Sequence, residues 1–165
     1  MSDKYPYLNF RVVLVEPEIP TNTGNIGRTC VGSYCELHLV GRLGFEISDR
    51  QLKRAGLDYW RHLSVTHHPD WDSWWSQVED PSRVFFFSKK AEQKLWNVKF
   101  QPGDWLVFGK ETKGLNEEVL DQFSSQTLRI PQPGPIRSLN LASAVSVAVF
   151  EGLRQLGNPP GQSGG

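Results

Sequence analysis

The sequence predicts an α/β domain in which a parallel sheet is flanked by helices. Short runs of β-branched or aromatic residues are typical of buried parallel strands, and segments with helical periodicity lie between them. Strands that alternate with helices in this way build parallel sheets. The predicted strands are residues 12–15, 37–40, 84–87, 105–108 and 127–130.

Start signals and apolar spacing locate the helices. Ser48 and Gln51 form a capping box, and Asp70 and Asn116 are suited to cap two further helices. Residues 139–156 form the longest helical segment, which carries apolar side chains on more than one face. Because such a helix needs more than one partner, the pattern leaves room for a contact between two copies of the chain.

The chain length of 165 residues and the 38% hydrophobic content predict one domain, over residues 1–156. The tail, residues 157–165, has the sequence GNPPGQSGG and lacks an apolar anchor, so we expect it to be disordered. Four residues spaced i, i+3, i+4 and i+7 favour core packing over a platform for stacked bases: Trp71, Trp74, Trp75 and Val78.

Composition limits the function classes. The 18 basic and 18 acidic side chains cancel, so any nucleic-acid binding must rely on a local basic patch. Cys30 and Cys35 have no second pair at zinc-ligand spacing, and the histidines show no metal spacing. The N-terminus does not resemble a signal peptide, and no stretch approaches 18 apolar residues. We therefore expect a cytoplasmic protein with reduced thiols, no metal and no membrane association.

The first polar constellation, EPEIPTNTGNIGR at residues 16–28, directly follows a predicted strand. Thr21, Asn22 and Thr23 offer caps for the next helix, and Asn22, Asn25 and Arg28 are expected to face a crevice at the carboxyl edge of the sheet. The alternative is an ordinary loop and helix cap followed by a surface arginine.

The second constellation, FGKETKGL at residues 108–115, superficially resembles a phosphate-binding loop. Leu115 stands where the lysine of such a loop must follow the second glycine, so the pattern fails. The alternative is a turn bracketed by Gly109 and Gly114 with its charged residues in water.

The third constellation, IPQPGPIRSLN at residues 130–140, leads into the final helix. Its prolines predict an extended loop that places three polar residues at the helix entrance, where free amides favour a polar or anionic group. Helix capping accounts for Ser138, but it does not account for Arg137 and Asn140.

Two basic runs remain. The residues Lys53, Arg54, Arg61 and His62 form the denser cluster, for which phosphate contact and plain solvation are both open. The run that contains Lys89, Lys90 and Lys94 is more typical of a solvated face.

Together, PEIPTNTGNIGR, RAGLDYW, FGKETKGL and IRSLNLA resemble the ordered motifs of SPOUT RNA methyltransferases, over roughly residues 10–156. The similarity is greatest to members that methylate the ribose 2′-hydroxyl of the wobble nucleotide (position 34, cytidine or modified uridine) of tRNA. The resemblance implies a deep C-terminal trefoil knot and a homodimer with its sites near the interface. It also implies S-adenosylmethionine as methyl donor, S-adenosylhomocysteine as product and a tRNA anticodon stem-loop as partner. Alternatives are another tRNA or rRNA position, or an RNA-binding protein of the same fold without catalysis.

The resemblance also assigns residues. It implies catalytic roles near the ribose for Arg28, Asn22, Ser138 and Asn140. It implies a donor site formed by Phe87, Gly109, Glu111, Ile130, Ser138 and Leu139. RNA contacts are expected from Lys53, Arg54, Arg61 and Arg137. A guanidinium stays protonated, so we expect Arg28 to hold a phosphate and stabilise negative charge, leaving the general base unidentified. Departures from the family pattern at Lys110, at 133–135 and at 142–143 leave the exact substrate open.

Overall fold

The structure is a computed structural model that describes residues 4–48, 50, 54 and 59–157. Its strands are β1 (Arg11–Val15), β2 (Glu36–Val40), β3 (Val65–His68), β4 (Val84–Phe87), β5 (Gln93–Lys94), β6 (Trp105–Phe108) and β7 (Thr127–Arg129). Its α-helices are α1 (Pro20–Ser33), α2 (Trp71–Trp75), α3 (Glu117–Gln122) and α4 (Leu141–Leu156).

All the described strands belong to one parallel sheet in the order β3-β2-β1-β6-β4-β7-β5. The five predicted strands are confirmed. The other two, β3 and β5, were missed because neither carries an apolar run. Strand β3 is an edge strand with exposed Thr66 and His67 at its centre, and β5 contains only two residues.

Side chains of β1 alternate between two cores, as the two-residue period of a strand requires. Val12 and Leu14 face the layer that holds α1 and α4, whereas Val13 packs in a second cluster with the fully buried Trp74. The tryptophans of α2 therefore belong to the core, as their spacing predicts. The sheet is covered on both faces, which explains its nearly continuous apolar strands.

Two of the predicted caps are confirmed. The Asp70 carboxylate accepts a hydrogen bond from the Ser73 amide at 2.8 Å, and the Asn116 side chain accepts one from the Val119 amide at 2.9 Å. The capping box cannot be followed, because Gln51 lies outside the described residues.

The start of α1 differs from the prediction. The helix begins at Pro20, with Ile19 as an N-cap that makes no side-chain capping bond. Thr21, Asn22 and Thr23 therefore lie inside the first turn and cap nothing. Proline is favoured at this position because its missing N–H is not needed there and its φ already suits a helix. The prediction gave weight to side-chain caps and too little to the proline.

The cap of α4 also differs from the prediction. Asn140, rather than Ser138, is the N-cap, and its Oδ1 accepts hydrogen bonds from the amides of Ala142 at 2.9 Å and Ser143 at 3.4 Å. Capping uses the Oδ1 atom of Asn140 and leaves its Nδ2 available for another contact. Ser138 is exposed.

Helix α4 packs on α1 and on the sheet. The Thr29 and Ser146 hydroxyls lie 3.2 Å apart across the two helices. At Gly152 a Cβ would lie 2.5 Å from the Phe10 ring, so glycine is needed for this close approach. Phe150, on another face of α4, is 56% exposed. The expected multi-faced helix is therefore present, with one apolar side chain left uncovered within the chain.

Cys30 and Cys35 are free and buried, and burial raises the pKa of both thiols, that of Cys35 to about 11. Within the described residues, no helix has the length and apolar character needed to cross a bilayer, and no three His, Cys, Asp or Glu side chains are grouped as a metal site would require. The trefoil knot stays a prediction.

Candidate active site

A cleft of about 560 Å³ lies at the carboxyl edge of the sheet, where the neighbouring strands β4, β6 and β7 end. Three segments close around it: residues 87–90 after β4, residues 108–115 after β6, and residues 130–141 between β7 and α4. This is the edge at which open α/β sheets bind ligands.

The structure brings the predicted donor residues together in this cleft, although β4, β6 and β7 place them far apart in sequence. The residues that line it include all six: Phe87, Gly109, Glu111, Ile130, Ser138 and Leu139. Asn22, Arg137 and Asn140 also line it. One cleft therefore collects residues from all three constellations.

One wall of the cleft is apolar. The rings of Phe87 and Phe108 stack with their centroids 4.5 Å apart and their planes 9° apart, and Leu128 and Ile130 line the cleft beside them. Apolar walls with a few convergent polar groups are typical of small-molecule sites. A flat heteroaromatic ring is the kind of group that such a wall accommodates.

The loop after β6 folds back tightly on itself. The Gly114 amide donates to the Lys110 carbonyl at 2.9 Å, and a Cβ on Gly109 would lie 2.1 Å from the carbonyl carbon of Gly114 and 2.2 Å from the Leu115 nitrogen. Gly109 is therefore required by its own loop. No contact with a ligand is needed to explain this glycine.

Glu111 carries an unsatisfied oxygen. Its Oε2 accepts a hydrogen bond from the Glu18 amide at 2.7 Å, whereas its Oε1 is buried and has no hydrogen-bond partner among the described residues. Buried polar atoms are rarely left unpaired, because an unpaired group loses its hydration without compensation. Glu111 lines the cleft, and its unpaired oxygen would suit a ligand that brings an N–H or O–H donor.

Asn22 and Asn140 both line the cleft and are bonded to each other. The Nδ2 of Asn140 donates to the Oδ1 of Asn22 at 3.1 Å. Asn22 is buried in the first turn of α1, and Asn140 caps α4, so this bond fixes the two helix starts against each other.

Arg28 is not brought to the cleft of its own chain. It is exposed and does not belong to the described residues that line the cleft. It follows Asn22 by six residues, which places it about 9 Å further along α1. The neighbouring turn Trp60–His62 packs on this part of α1, where a Cβ on Gly27 would lie 3.0 Å from the Trp60 ring.

The predicted RNA-binding residues divide into two groups. Arg137 lines the cleft, whereas Arg54 and Arg61 are exposed elsewhere, Arg61 in the turn that packs on α1. Arg61 donates to the His62 ring at 3.2 Å. Lys53 lies outside the described residues.

Sequence reasoning missed two cleft residues, Lys89 and Lys90, which it assigned to a solvated face. Both are exposed, yet both line the cleft. Lys89 Nζ donates to the Arg137 carbonyl at 3.3 Å, and Lys90 pairs with Glu117. Their position directly after the carboxyl end of β4 could have predicted that they lie at the cleft.

Comparisons with known proteins agree with this architecture. Residues 9–150 match the SpoU rRNA Methylase family. The tRNA (cytidine(34)-2'-O)-methyltransferase of Burkholderia pseudomallei (strain 1106a) is 45% identical over 150 residues, covering 90% of this chain and 96% of that protein. The protein with the same name from Saccharophagus degradans is 48% identical over 149 residues, with the same coverage of 90% and 96%.

Solved structures are similar as well. One that concerns the 2-OH methylation of C/U34 on tRNA matches with a TM-score of 0.85 and 48% identity, over 90% of this chain and 97% of that one. An AdoMet-bound rRNA methyltransferase from Sinorhizobium meliloti matches with a TM-score of 0.80 and 25% identity, over 92% of this chain and 58% of that one. The fold class predicted from the sequence is thereby confirmed.

Proposed function

Because the chain belongs to the SpoU rRNA methylase family, we propose that it transfers a methyl group from S-adenosylmethionine to the ribose 2′-hydroxyl of nucleotide 34 in tRNA. The observation that carries this proposal is the identity of 45–48% over 90% of the chain to proteins named for that reaction. The cleft supports it, since it assembles every residue that the family resemblance assigns to the donor.

The cleft fits the methyl donor. Phe87 and Ile130 offer an apolar wall for adenine, and the unpaired Oε1 of Glu111 offers an acceptor for an ammonium, amino or hydroxyl group. When bound, the donor supplies a sulfonium-activated methyl group. The protein's contribution is then mainly alignment of the ribose oxygen with that methyl carbon.

The Asn22 and Asn140 pair is suited to orient the ribose hydroxyl, because it lies on the cleft and is rigidly held. Ser138, exposed at the rim, is suited to contact donor or ribose. Arg28 retains its proposed role of binding a phosphate and stabilising charge on the attacking oxygen. It does so in a site to which a second copy of the chain contributes.

The homodimer is supported by an apolar side chain that α4 leaves uncovered. Phe150 of α4 is 56% exposed, on a helix that also packs against α1 and the sheet. Burying this side chain against a second copy would remove apolar surface from water.

We place the enzyme in the cytoplasm, where tRNA is available, and expect it to hold the anticodon stem-loop by local positive charge. Arg137 and Lys89 provide that charge beside the cleft, and Arg54 and Arg61 provide it away from the cleft. A local patch is required because the formal net charge of the chain is zero.

The test is methylation of an anticodon stem-loop by the purified protein, with the modified nucleotide located by mass spectrometry. We expect a 2′-O-methyl group at nucleotide 34 and none on a stem-loop with 2′-deoxyribose at that position. Methylation elsewhere would assign another RNA target. RNA binding with no methyl transfer under any condition would favour the RNA-binding protein of the same fold.

A further inference from the structure

Two glutamates form a reciprocal connection between the loop before α1 and the loop after β6. The Glu18 amide donates to Oε2 of Glu111 at 2.7 Å. In return, Oε1 of Glu18 accepts from the Thr112 amide at 3.0 Å and from the Thr112 hydroxyl at 2.8 Å. Each loop thus supplies a carboxylate to the other. We refer to these three residues, Glu18, Glu111 and Thr112, as the carboxylate clasp.

The clasp joins segments with different duties. Glu18 lies two residues before Pro20, where α1 begins, and α1 carries Asn22 and Arg28. Glu111 and Thr112 belong to the tight loop after β6 and line the cleft. Hence two residues that line the cleft, Glu111 and Thr112, hold the start of α1, the helix that carries the residues proposed to act on the ribose.

The loop after β2, which contains Gly44, contacts the backbone of Glu18. The Gly44 amide donates to the Pro17 carbonyl at 3.0 Å, and a Cβ on Gly44 would lie 2.9 Å from both Cα and the carbonyl oxygen of Glu18. The backbone at Glu18 is therefore confined by contacts on two sides, from Gly44 and from the clasp.

One carboxylate of the clasp, that of Glu111, belongs to a residue that lines the cleft. Glu111 uses Oε2 for Glu18, and its Oε1 is buried without a partner among the described residues. A ligand that donates to Oε1 therefore contacts the same carboxylate that positions Glu18. The two Thr112 bonds hold the pKa of the Glu18 carboxyl below its ordinary value, so this group is ionised at neutral pH.

We propose that Glu18 is a positioning residue that couples occupancy of the donor side of the cleft to the placement of the first turn of α1. This proposal rests on the proposed function and deepens it, because it states how binding of the donor changes the affinity for RNA and the reverse. The clasp bonds from Thr112 are solvent-exposed, so they contribute little to stability and are available for such coupling.

The experiment measures the affinity of S-adenosylhomocysteine by calorimetry, with and without a saturating anticodon stem-loop. For the unmodified protein we expect the two affinities to differ about fivefold or more, as is typical of coupled sites. Glu18→Ala removes the two Thr112 bonds and keeps the backbone bond to Glu111, so it should lower this ratio about twofold or more while the affinity without RNA stays within about threefold. Glu18→Gln keeps an acceptor oxygen for Thr112, so it should retain most of the coupling. The matched control is Glu79→Ala, an exposed glutamate away from the cleft.

A second readout does not depend on RNA. Bound S-adenosylhomocysteine should slow amide hydrogen exchange at residues 18–24 in the unmodified protein and in Glu18→Gln, and should slow it less in Glu18→Ala. The proposal is wrong if Glu18→Ala keeps normal coupling and protection, or if its melting temperature and affinity without RNA fall together with the coupling. If the unmodified protein shows ligand-induced protection but neither binds nor methylates the stem-loop, the proposed function fails and the clasp stands.

Discussion

Asn140 donates from Nδ2 to the Oδ1 of Asn22 at 3.1 Å, while its own Oδ1 caps helix α4. These two residues are 118 positions apart in the chain. A single amide side chain therefore caps α4 with its oxygen and contacts Asn22 beside the cleft with its nitrogen. The two tasks can be separated by substitution, because they use different atoms.

Asn140→Ala should destabilise the protein by about 1 kcal/mol, the usual cost of losing an N-cap. Asn140→Asp retains the capping oxygen at a helix N-terminus, so its unfolding free energy should stay within about 0.5 kcal/mol of the original. A carboxylate cannot donate to Asn22, and it would repel charge developing on the ribose oxygen. Turnover of Asn140→Asp should therefore fall about a hundredfold. Urea unfolding and single-turnover methylation measure the two effects.

An equal loss of stability in Asn140→Ala and Asn140→Asp would show that the bond to Asn22, rather than the cap, carries the stabilisation. Ser143→Ala is the control, since Ser143 contributes only its backbone amide to the cap.

The sequence was sufficient to predict the fold because strong local signals agreed with one another. The five apolar runs became strands, and Asp70 and Asn116 became caps. Strand β3 escaped prediction because its sequence, VTHH, acquires strand conformation from pairing with β2 rather than from its own pattern. Such pairing depends on tertiary contacts that a local window does not contain.

The site was predictable only in part. Residues at strand ends converge because parallel strands share an edge, which is why Phe87, Gly109 and Ile130 were found together. The divergence of Arg28 from Asn22 was predictable but overlooked, since six residues of an α-helix turn through about 240°. The clasp of Glu18 and Glu111 was not predictable, because it joins side chain and backbone across 93 positions.

Gly109 and Gly114 provide a matched pair of substitutions in the loop after β6. Gly109→Ala places a Cβ 2.1 Å from backbone, and we expect a loss of about 3 kcal/mol or more, at the upper end of overpacking effects. Gly114 has a φ of +67° but open space around it, so Gly114→Ala should cost only about 1–2 kcal/mol of strain. Urea unfolding measures both losses. If Gly109→Ala weakens S-adenosylhomocysteine binding without destabilising the protein, the glycine serves the ligand instead.

Protein stability should fall as the pH falls through the range in which free histidine titrates. Burial, together with the nearby His38 and His67, holds the pKa of His68 below its ordinary value of 6.5. His68 is 3% exposed, and its ring stacks on that of His38. Below about pH 6.5 the unfolded chain therefore binds a proton that the folded chain resists. Stability is lost with a slope of at most about 1.4 kcal/mol per pH unit for this one group.

His68→Gln should flatten this slope between about pH 7 and pH 5.5, as measured by urea unfolding. His62→Gln is the control, since His62 is exposed. An unchanged slope in His68→Gln would assign the acid sensitivity to other groups. Loss that begins only below about pH 4.5 would instead implicate Glu36, whose pKa is lowered by its hydrogen bond to His38.

Arg28→Ala should separate turnover from donor binding. Arg28 does not belong to the described residues that line the cleft, so the affinity for S-adenosylmethionine should be nearly unchanged. Turnover should fall about a hundredfold or more, as when one preorganised charge-stabilising group is removed. Arg28→Lys should recover little, because an ammonium cannot supply a planar two-pronged contact. Calorimetry and single-turnover methylation are the measurements, and a parallel loss of donor affinity would place Arg28 in the donor pocket or the fold.

Mixed dimers should show whether Arg28 acts on the cleft of its own chain or on that of a second copy. We expect Arg28→Ala and Asn140→Asp to be inactive alone. If Arg28 acts across the interface, a heterodimer of the two variants contains one complete site, formed by the intact cleft of the first and the intact arginine of the second. Its activity should then be about half that of the unmodified dimer. Co-expression with two affinity tags isolates the heterodimer, and single-turnover methylation measures its activity. If Arg28 acts within its own chain, both sites of the heterodimer lack one group and no activity returns. A heterodimer of Arg28→Ala with the double variant Arg28→Ala/Asn140→Asp controls for residual turnover, because Arg28 is absent from both of its chains.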